Sequence, residues 1–270
     1  MSAPSELRHR PQTGSHLSPG SSDVRKAPVD NRSCWSRIAQ WLQDSSYQIL
    51  ARTTIWDAII RGFWPGRARA LELLDIQAED SLLLVGAGSG ADFECLPAQT
   101  NKIALRAFDF SPEMVQRGKI TAREFGIPEE NCFVGDAQAL PFADAEKFSK
   151  ICFPLSIASI PNPSLALQEA ERVLSPKGKI VVFDKLVDDD QTISWKRTAL
   201  NIVTRCAFAD ITRNLSGMLQ TVPSLKIIHY ESLEGKLEGW FTNQVSGSYR
   251  VAVLVRHDDY PDVPAIPAIL

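Results

Sequence analysis

Leu82-Leu83-Leu84-Val85-Gly86-Ala87-Gly88-Ser89-Gly90 is the stretch on which the reading of the fold turns. A short apolar run ending in glycines is the pattern of a strand buried on both faces that leads straight into a tight turn. Glycines at alternate positions let the backbone bend sharply and approach a ligand with no Cβ in the way. The residues after Gly90 are expected to open a helix, whose first N–H groups face negative charge. Alone, the loop fits a dinucleotide as well as any other nucleoside.

Outward from this loop, strand-like and helix-like segments alternate, which predicts parallel strands joined by crossover helices. Ile103 to Phe108 is a second strand ending at Asp109, a carboxylate placed to accept from ribose hydroxyls. Ser111-Pro112-Glu113 opens a helix with an N-cap, a proline in its first turn and an early acid. Its apolar face runs through Met114, Gly118, Ala122 and Phe125, and Gly126 stops it. Cys132 to Val134 is a third strand, followed by Gly135-Asp136-Ala137-Gln138. There a carboxylate can accept from an adenine amino group while the next N–H donates to the ring. Ile151 to Leu155 is a fourth strand. A helix over about 164–174 is closed by the turn Ser175-Pro176-Lys177-Gly178. Ile180 to Phe183, Leu225 to His229 and Arg250 to Val255 complete seven strands. The expected fold is α/β, a doubly wound, Rossmann-like and mostly parallel sheet with helices on both faces and an antiparallel last strand.

The chain resembles the class I S-adenosylmethionine-dependent methyltransferases. The likeness covers roughly residues 47–256 and rests on LLLVGAGSG, AFDFSPEMV, VGDAQALPF and RVLSPKGKIVVFDK. Within that class it is similar to bacterial phosphatidylethanolamine N-methyltransferases and quinone-biosynthesis methyltransferases, through WDAIIRGFWPGRARALELL and SIPNPSLALQEAERVL. The resemblance implies S-adenosyl-L-methionine as cofactor. It implies that Gly86, Ala87, Gly88 and Gly90 line the methionine moiety and that Asp109 holds the ribose. It further implies that Phe110 and Met114 flank the adenine, that Asp136 and Ala137 read its edge, and that Pro154, Leu155 and Ser156 sit beside the sulfonium. Where the family carries an acid two residues before the first glycine, this chain has Leu84. Asp92, just inside the following helix, is the candidate replacement; an acid favoured there by the helix dipole is the ordinary alternative.

Methyl transfer needs alignment and exclusion of water, and an ammonium or phenol acceptor must also lose a proton. Asp184 and Tyr47 are the candidate bases. An ion pair of Asp184 with Lys185 and core packing of Tyr47 are the alternatives, and His229 and His257 are weaker candidates. No nucleophile triad or metal cluster is visible. The expected function is methyl transfer to a small-molecule or lipid-like acceptor by in-line displacement. A nicotinamide-dependent oxidoreductase and a non-catalytic cofactor-binding protein are the alternatives.

The chain divides into a polar tail (1–33), a helical, aromatic leading segment (34–74), the cofactor domain (75–256) and a proline-bearing tail (257–270). Trp35, Ile38, Trp41 and Leu42 fall at helical spacing. That segment reads as a lid over the cofactor, or as a helix making peripheral membrane contact. An insertion over 190–222 reads as two amphipathic helices, along Trp195, Ala199, Ile202, Val203 and Cys206 and along Ile211, Leu215, Met218 and Leu219. They are expected over the ligand crevice or against the sheet edge. A net charge of -3 over 270 residues gives no electrostatic footprint for nucleic acid. No run reaches the roughly 18 apolar residues of a membrane span. The opening residues lack the apolar stretch of a signal peptide, and the five cysteines show no CxxC pair. The expected location is the cytoplasm, with membrane contact through the leading helix as an addition.

Overall fold

The structure is a computed structural model and describes residues 62–98, 102–207, 209–237 and 248–269. Seven strands form a single sheet: β1 (Ser81–Val85), β2 (Ala104–Asp109), β3 (Cys132–Val134), β4 (Phe148–Pro154), β5 (Leu174–Lys185), β6 (Leu225–Ser232) and β7 (Tyr249–Arg256). Their order is β3-β2-β1-β4-β5-β7-β6. β7 alone runs against its neighbours, antiparallel to both β5 and β6. The strand order reverses between β1 and β4, so the crevice of a doubly wound sheet falls at the ends of those two strands.

Helices cover both faces. α1 (Trp64–Leu74) buries Ala70, Leu71 and Leu74 on the side of Leu82, Leu84, Val181 and Phe183. α2 (Pro112–Glu124) starts as its sequence predicts, with Ser111 Oγ accepting from Met114 N at 3.3 Å, and ends before Gly126 at φ 68°. α3 (Pro163–Val173) is capped by Asn162 and buries Ala166, Leu167, Ala170 and Val173 against Leu83, Ile151 and Phe153. Apolar residues fill the central strands, and Phe153, Phe183 and Ile151 keep no exposed surface.

Four expectations are corrected. Gly90 leads into a 3₁₀ segment, Ala91–Cys95, and not into an α-helix. Pro97 follows two residues later and offers no N–H to carry a longer helix. Ser175 to Gly178 lie within the long strand β5, although Lys177 takes a positive φ of 56°. Of the two inserted helices, α4 (Trp195–Ala207) is present, whereas α5 (Leu215–Leu219) is a short turn that leaves Ile211 outside it. The apolar stripe expected to bury α4 faces solvent where it is described, at Trp195, Ala199 and Ile202. Finally, residues 257–269 are irregular but not loose. Ile266 N donates to Ile227 O, Lys226 Nζ donates to Tyr260 O and Val263 O, and Ala268 is fully buried. Part of the edge strand β6 is thereby covered. The expected 34–61 helices and Tyr47 lie outside the described residues, as does the tail 1–33.

Candidate functional site

Three strand ends are tied together by backbone hydrogen bonds. Gly86 N and Ala87 N both donate to Phe108 O at 2.9 Å, so the glycine loop folds over the end of β2. Gly88 N donates to Asp109 Oδ2 and Ser111 N to Asp109 Oδ1, each at 2.9 Å. Gly135 N then donates to Asp109 O at 3.0 Å, bringing the end of β3 to the same place. Asp109 is thus the hub of the site. Each of its oxygens accepts one backbone N–H and keeps capacity for a second donor. Burial pushes its carboxyl above the usual range, against the pull of the Ser111, Gly88 and Phe110 amides.

The loop can take this shape only with glycine at its start. Gly86 has φ 72°, and a Cβ there would stand 2.5 Å from Ser156 Cβ. Ser156 in turn donates to Val85 O at 2.6 Å, which locks the end of β4 against the end of β1. Beneath the loop, a Cβ on Gly118 of α2 would meet Gly88 O at 3.0 Å, and Thr121 Oγ1 donates to Ser89 O. Leu155 sits at φ 60°, in the left-handed region a branched side chain avoids, held by a 2.7 Å bond from its N to Phe183 O. Strain of this kind collects where a site has been shaped for use.

The remaining expected residues separate into open and closed. Phe110 is 55% exposed on the rim at the end of β2. Asp136 is exposed and accepts from Gln138 N at 2.8 Å, and Ala137 is buried beside it. Met114 has no exposed surface, so it lies under the rim and does not flank it. Pro154 and Leu155 end β4 next to Gly86. Asp184 is buried on the same edge, at the end of β5. Its oxygens accept from Ala158 N at 2.9 Å and Lys185 N at 2.7 Å, and burial foremost raises its carboxyl to about 6. Lys185 Nζ lies over the Tyr249 ring, 5.2 Å from its centroid. The two weaker histidines are elsewhere: His229 is on the far edge strand, and His257 follows β7 at the opposite end of the sheet.

Asp92 is almost wholly buried, and its Oδ1 accepts from Arg67 Nη1 at 2.5 Å. Its second oxygen and Arg67 Nε have no hydrogen-bond partner. Burial pushes the Asp92 carboxyl up despite the neighbouring guanidinium. Arg67 was not singled out from sequence. It had a signal, because it occupies the ridge 67-70-71-74 of α1, where an apolar residue is the rule.

The fold and these strand ends define a Rossmann-like nucleoside-binding domain with its crevice between β1 and β4. Residues 83–182 match the methyltransferase domain family. The match is to methyltransferases and covers the strands β2 to β4 with most of β1 and β5. The chain is 28% identical over 120 residues to a phosphatidylethanolamine N-methyltransferase of Cereibacter sphaeroides, covering 44% of this chain and 57% of that one. It is 36% identical over 103 residues to a demethylmenaquinone methyltransferase of Renibacterium salmoninarum, covering 38% and 40% of the two chains. The chain therefore spans about half the length of these curated relatives. The fold is shared with geranyl diphosphate C-methyltransferase from Streptomyces coelicolor A3(2), whose crystal structure holds S-adenosyl-L-homocysteine, at 16% identity and TM-score 0.55 over 70% of this chain and 75% of that one. Among the described residues, no helix is long and apolar enough to cross a membrane.

Proposed function

We propose that this protein is an S-adenosylmethionine-dependent methyltransferase acting on a small-molecule or lipid-like acceptor. The observation that carries the reading is the Asp109 hub, which holds the glycine loop through its buried carboxylate and the β3 end through its main-chain carbonyl. Bound S-adenosylmethionine supplies a methyl group on a sulfonium, open to in-line displacement by an acceptor. The residues fit that cofactor. Asp109 accepts the ribose hydroxyls, Phe110 offers an open ring to the adenine face, and Asp136 and Ala137 supply an acceptor and a donor for its edge. Gly86, Gly88 and Gly90, with Ala87 between them, leave space for the methionine end, while their own N–H groups are held by Phe108 O, Asp109 Oδ2 and Ala87 O. Met114 forms the floor beneath.

The missing acid at Leu84 is answered by the Arg67–Asp92 pair. Its free buried acceptor and free buried donor match the ammonium and carboxylate of an amino acid. Pro154 and Leu155 set the wall beside the reacting carbon. Asp184 is better suited to positioning than to proton removal, because one oxygen already holds Ala158 N of the loop after β4 and the other holds Lys185 N of its own strand.

The acceptors named for the relatives, an aminophospholipid and a quinone precursor, define the first panel. Incubation with methyl-labelled cofactor and phosphatidylethanolamine, a prenylated quinol and a small phenol should label one of them. Cofactor binding with no transfer across that panel and a cell extract would make the protein a binding module.

A further inference from the structure

The end of β5 carries positive charge that the protein leaves unneutralised. Lys185 closes the strand, half-buried, with its Nζ over the Tyr249 ring, and no acid lies within ion-pair distance of it among the described residues. Arg197, in the first turn of α4, turns inward and donates from Nε to Ile211 O at 2.9 Å. It too is half-buried and has no ion pair among the described residues. Burial foremost lowers both groups below their usual range. At Lys185 the Asp184 carboxylate opposes that shift and Arg197 adds to it, so the two cations lie within each other's field.

The acids on this edge are committed elsewhere. The Asp184 oxygens hold Ala158 N and Lys185 N, and Asp188 holds Arg250 on both oxygens together with the Tyr230 hydroxyl. Asp210 accepts from Asn201 and Thr212, with Arg213 Nε 3.6 Å away. Arg250 and Arg213 thus have their counter-charges, whereas Lys185 and Arg197 are a surplus. The Tyr249 ring offsets part of the cost at Lys185 through its π face. Two neighbouring cations drawn partly out of water and facing no acid are otherwise unfavourable, and an anion held by both relieves that cost.

Phe183 O, two residues before Lys185, accepts from Leu155 N at the wall of the crevice, and Asp184 ties the loop after β4 to the same strand end. The surplus charge therefore lies one strand beyond Leu155. Because Arg197 Nε is engaged by Ile211 O, its guanidinium has lost the side-on edge that grips a planar carboxylate. A phosphate, whose oxygens accept from several directions, suits an ammonium and the remaining Nη groups. We propose that Lys185 and Arg197 bind a phosphate group carried by the methyl acceptor. Calling the ligand an acceptor rests on the methyltransferase reading; the phosphate site does not.

The test is calorimetric titration of the full chain, with and without S-adenosylhomocysteine, using dihexanoylphosphatidic acid, dihexanoylglycerol and inorganic phosphate. The two lipids differ only in the phosphate. The phosphatidic acid should bind about tenfold tighter than the glycerolipid and tighter than inorganic phosphate. Lys185→Met and Arg197→Met should each lower that affinity about tenfold, while Lys185→Arg keeps most of it. Melting temperature should not fall in the Met variants, since each removes an unneutralised charge, and S-adenosylhomocysteine affinity should hold. Equal binding of the two lipids, unchanged affinity in both Met variants, or inorganic phosphate bound with the lipid excluded overturns the proposal. Phosphate-dependent binding without methyl transfer to any acceptor fails the function and leaves the site standing. Methyl transfer to an uncharged phenol that Lys185→Met leaves unchanged does the reverse.

Discussion

The two halves of the sheet are held together by different means. On the β3-β2-β1 side, the site is assembled by backbone N–H groups, capped helices and glycines: Gly86, Ala87, Gly88 and Gly135 all reach the end of β2. On the β5-β7-β6 side, the corresponding edge is held by buried charges. Arg250 makes a bidentate pair with Asp188 at 2.8 and 2.6 Å, and Tyr230 adds its hydroxyl to the same carboxylate at 2.9 Å. Burial would raise the Asp188 carboxyl, yet Arg250 and Tyr230 bring it below the usual range. The first half is a binding device that local sequence specifies. The second is a wall whose stability depends on contacts between residues far apart in the chain, and it supports the exposed helix α4.

The difference can be broken most forcefully at Arg250. Arg250→Leu leaves the Asp188 carboxylate buried without its partner and should cost about 3–5 kcal/mol in urea unfolding. Affinity for S-adenosylhomocysteine should stay within about threefold, because no strand end of the nucleoside side is touched. An equal loss of binding would show that the halves are not separable.

Asp184 provides the second test. Its folded carboxyl titrates at about 6 against 3.8 in the unfolded chain, so the folded state holds its proton more tightly. The corresponding stability is fully present below about pH 4 and is lost as pH rises through 6, by about 3 kcal/mol. Asp184→Asn should flatten that slope. The comparison is the difference in unfolding free energy between wild type and variant from pH 4 to 7. A constant difference would mean that the carboxylate is not desolvated as described.

At the end of β2, Asp109→Ala removes the acceptor of two backbone N–H groups and, on the proposed reading, of the ribose hydroxyls. Cofactor affinity should fall by about 2–3 kcal/mol in calorimetry, with a smaller loss of stability from the untied loop. Normal binding would place the ribose elsewhere.

The contrast also sets what could be read from the sequence. The succession of strands along the chain, the N-cap at Ser111 and the glycine turn at Gly86 follow from local rules, since each depends on neighbours within a few residues. The 3₁₀ segment after Gly90 was hidden because a glycine loop alone does not say how long the next helix runs. The outward turn of α4 was hidden for a different reason. Its periodicity marks an apolar face but not the direction of that face, which Asn201 and Arg197 decide through partners beyond the helix. Charges inside apolar patterns, Arg67 on its ridge and Arg250 in YRVAVLVR, announced that a buried partner must exist. They did not name Asp92 or Asp188.

The most direct test of the central claim is a calorimetric titration of the full chain with S-adenosylhomocysteine and, separately, with NAD. The Asp109 hub with the Asp136-Ala137 edge predicts micromolar binding of S-adenosylhomocysteine and none of NAD. NAD binding tighter than S-adenosylhomocysteine would contradict it.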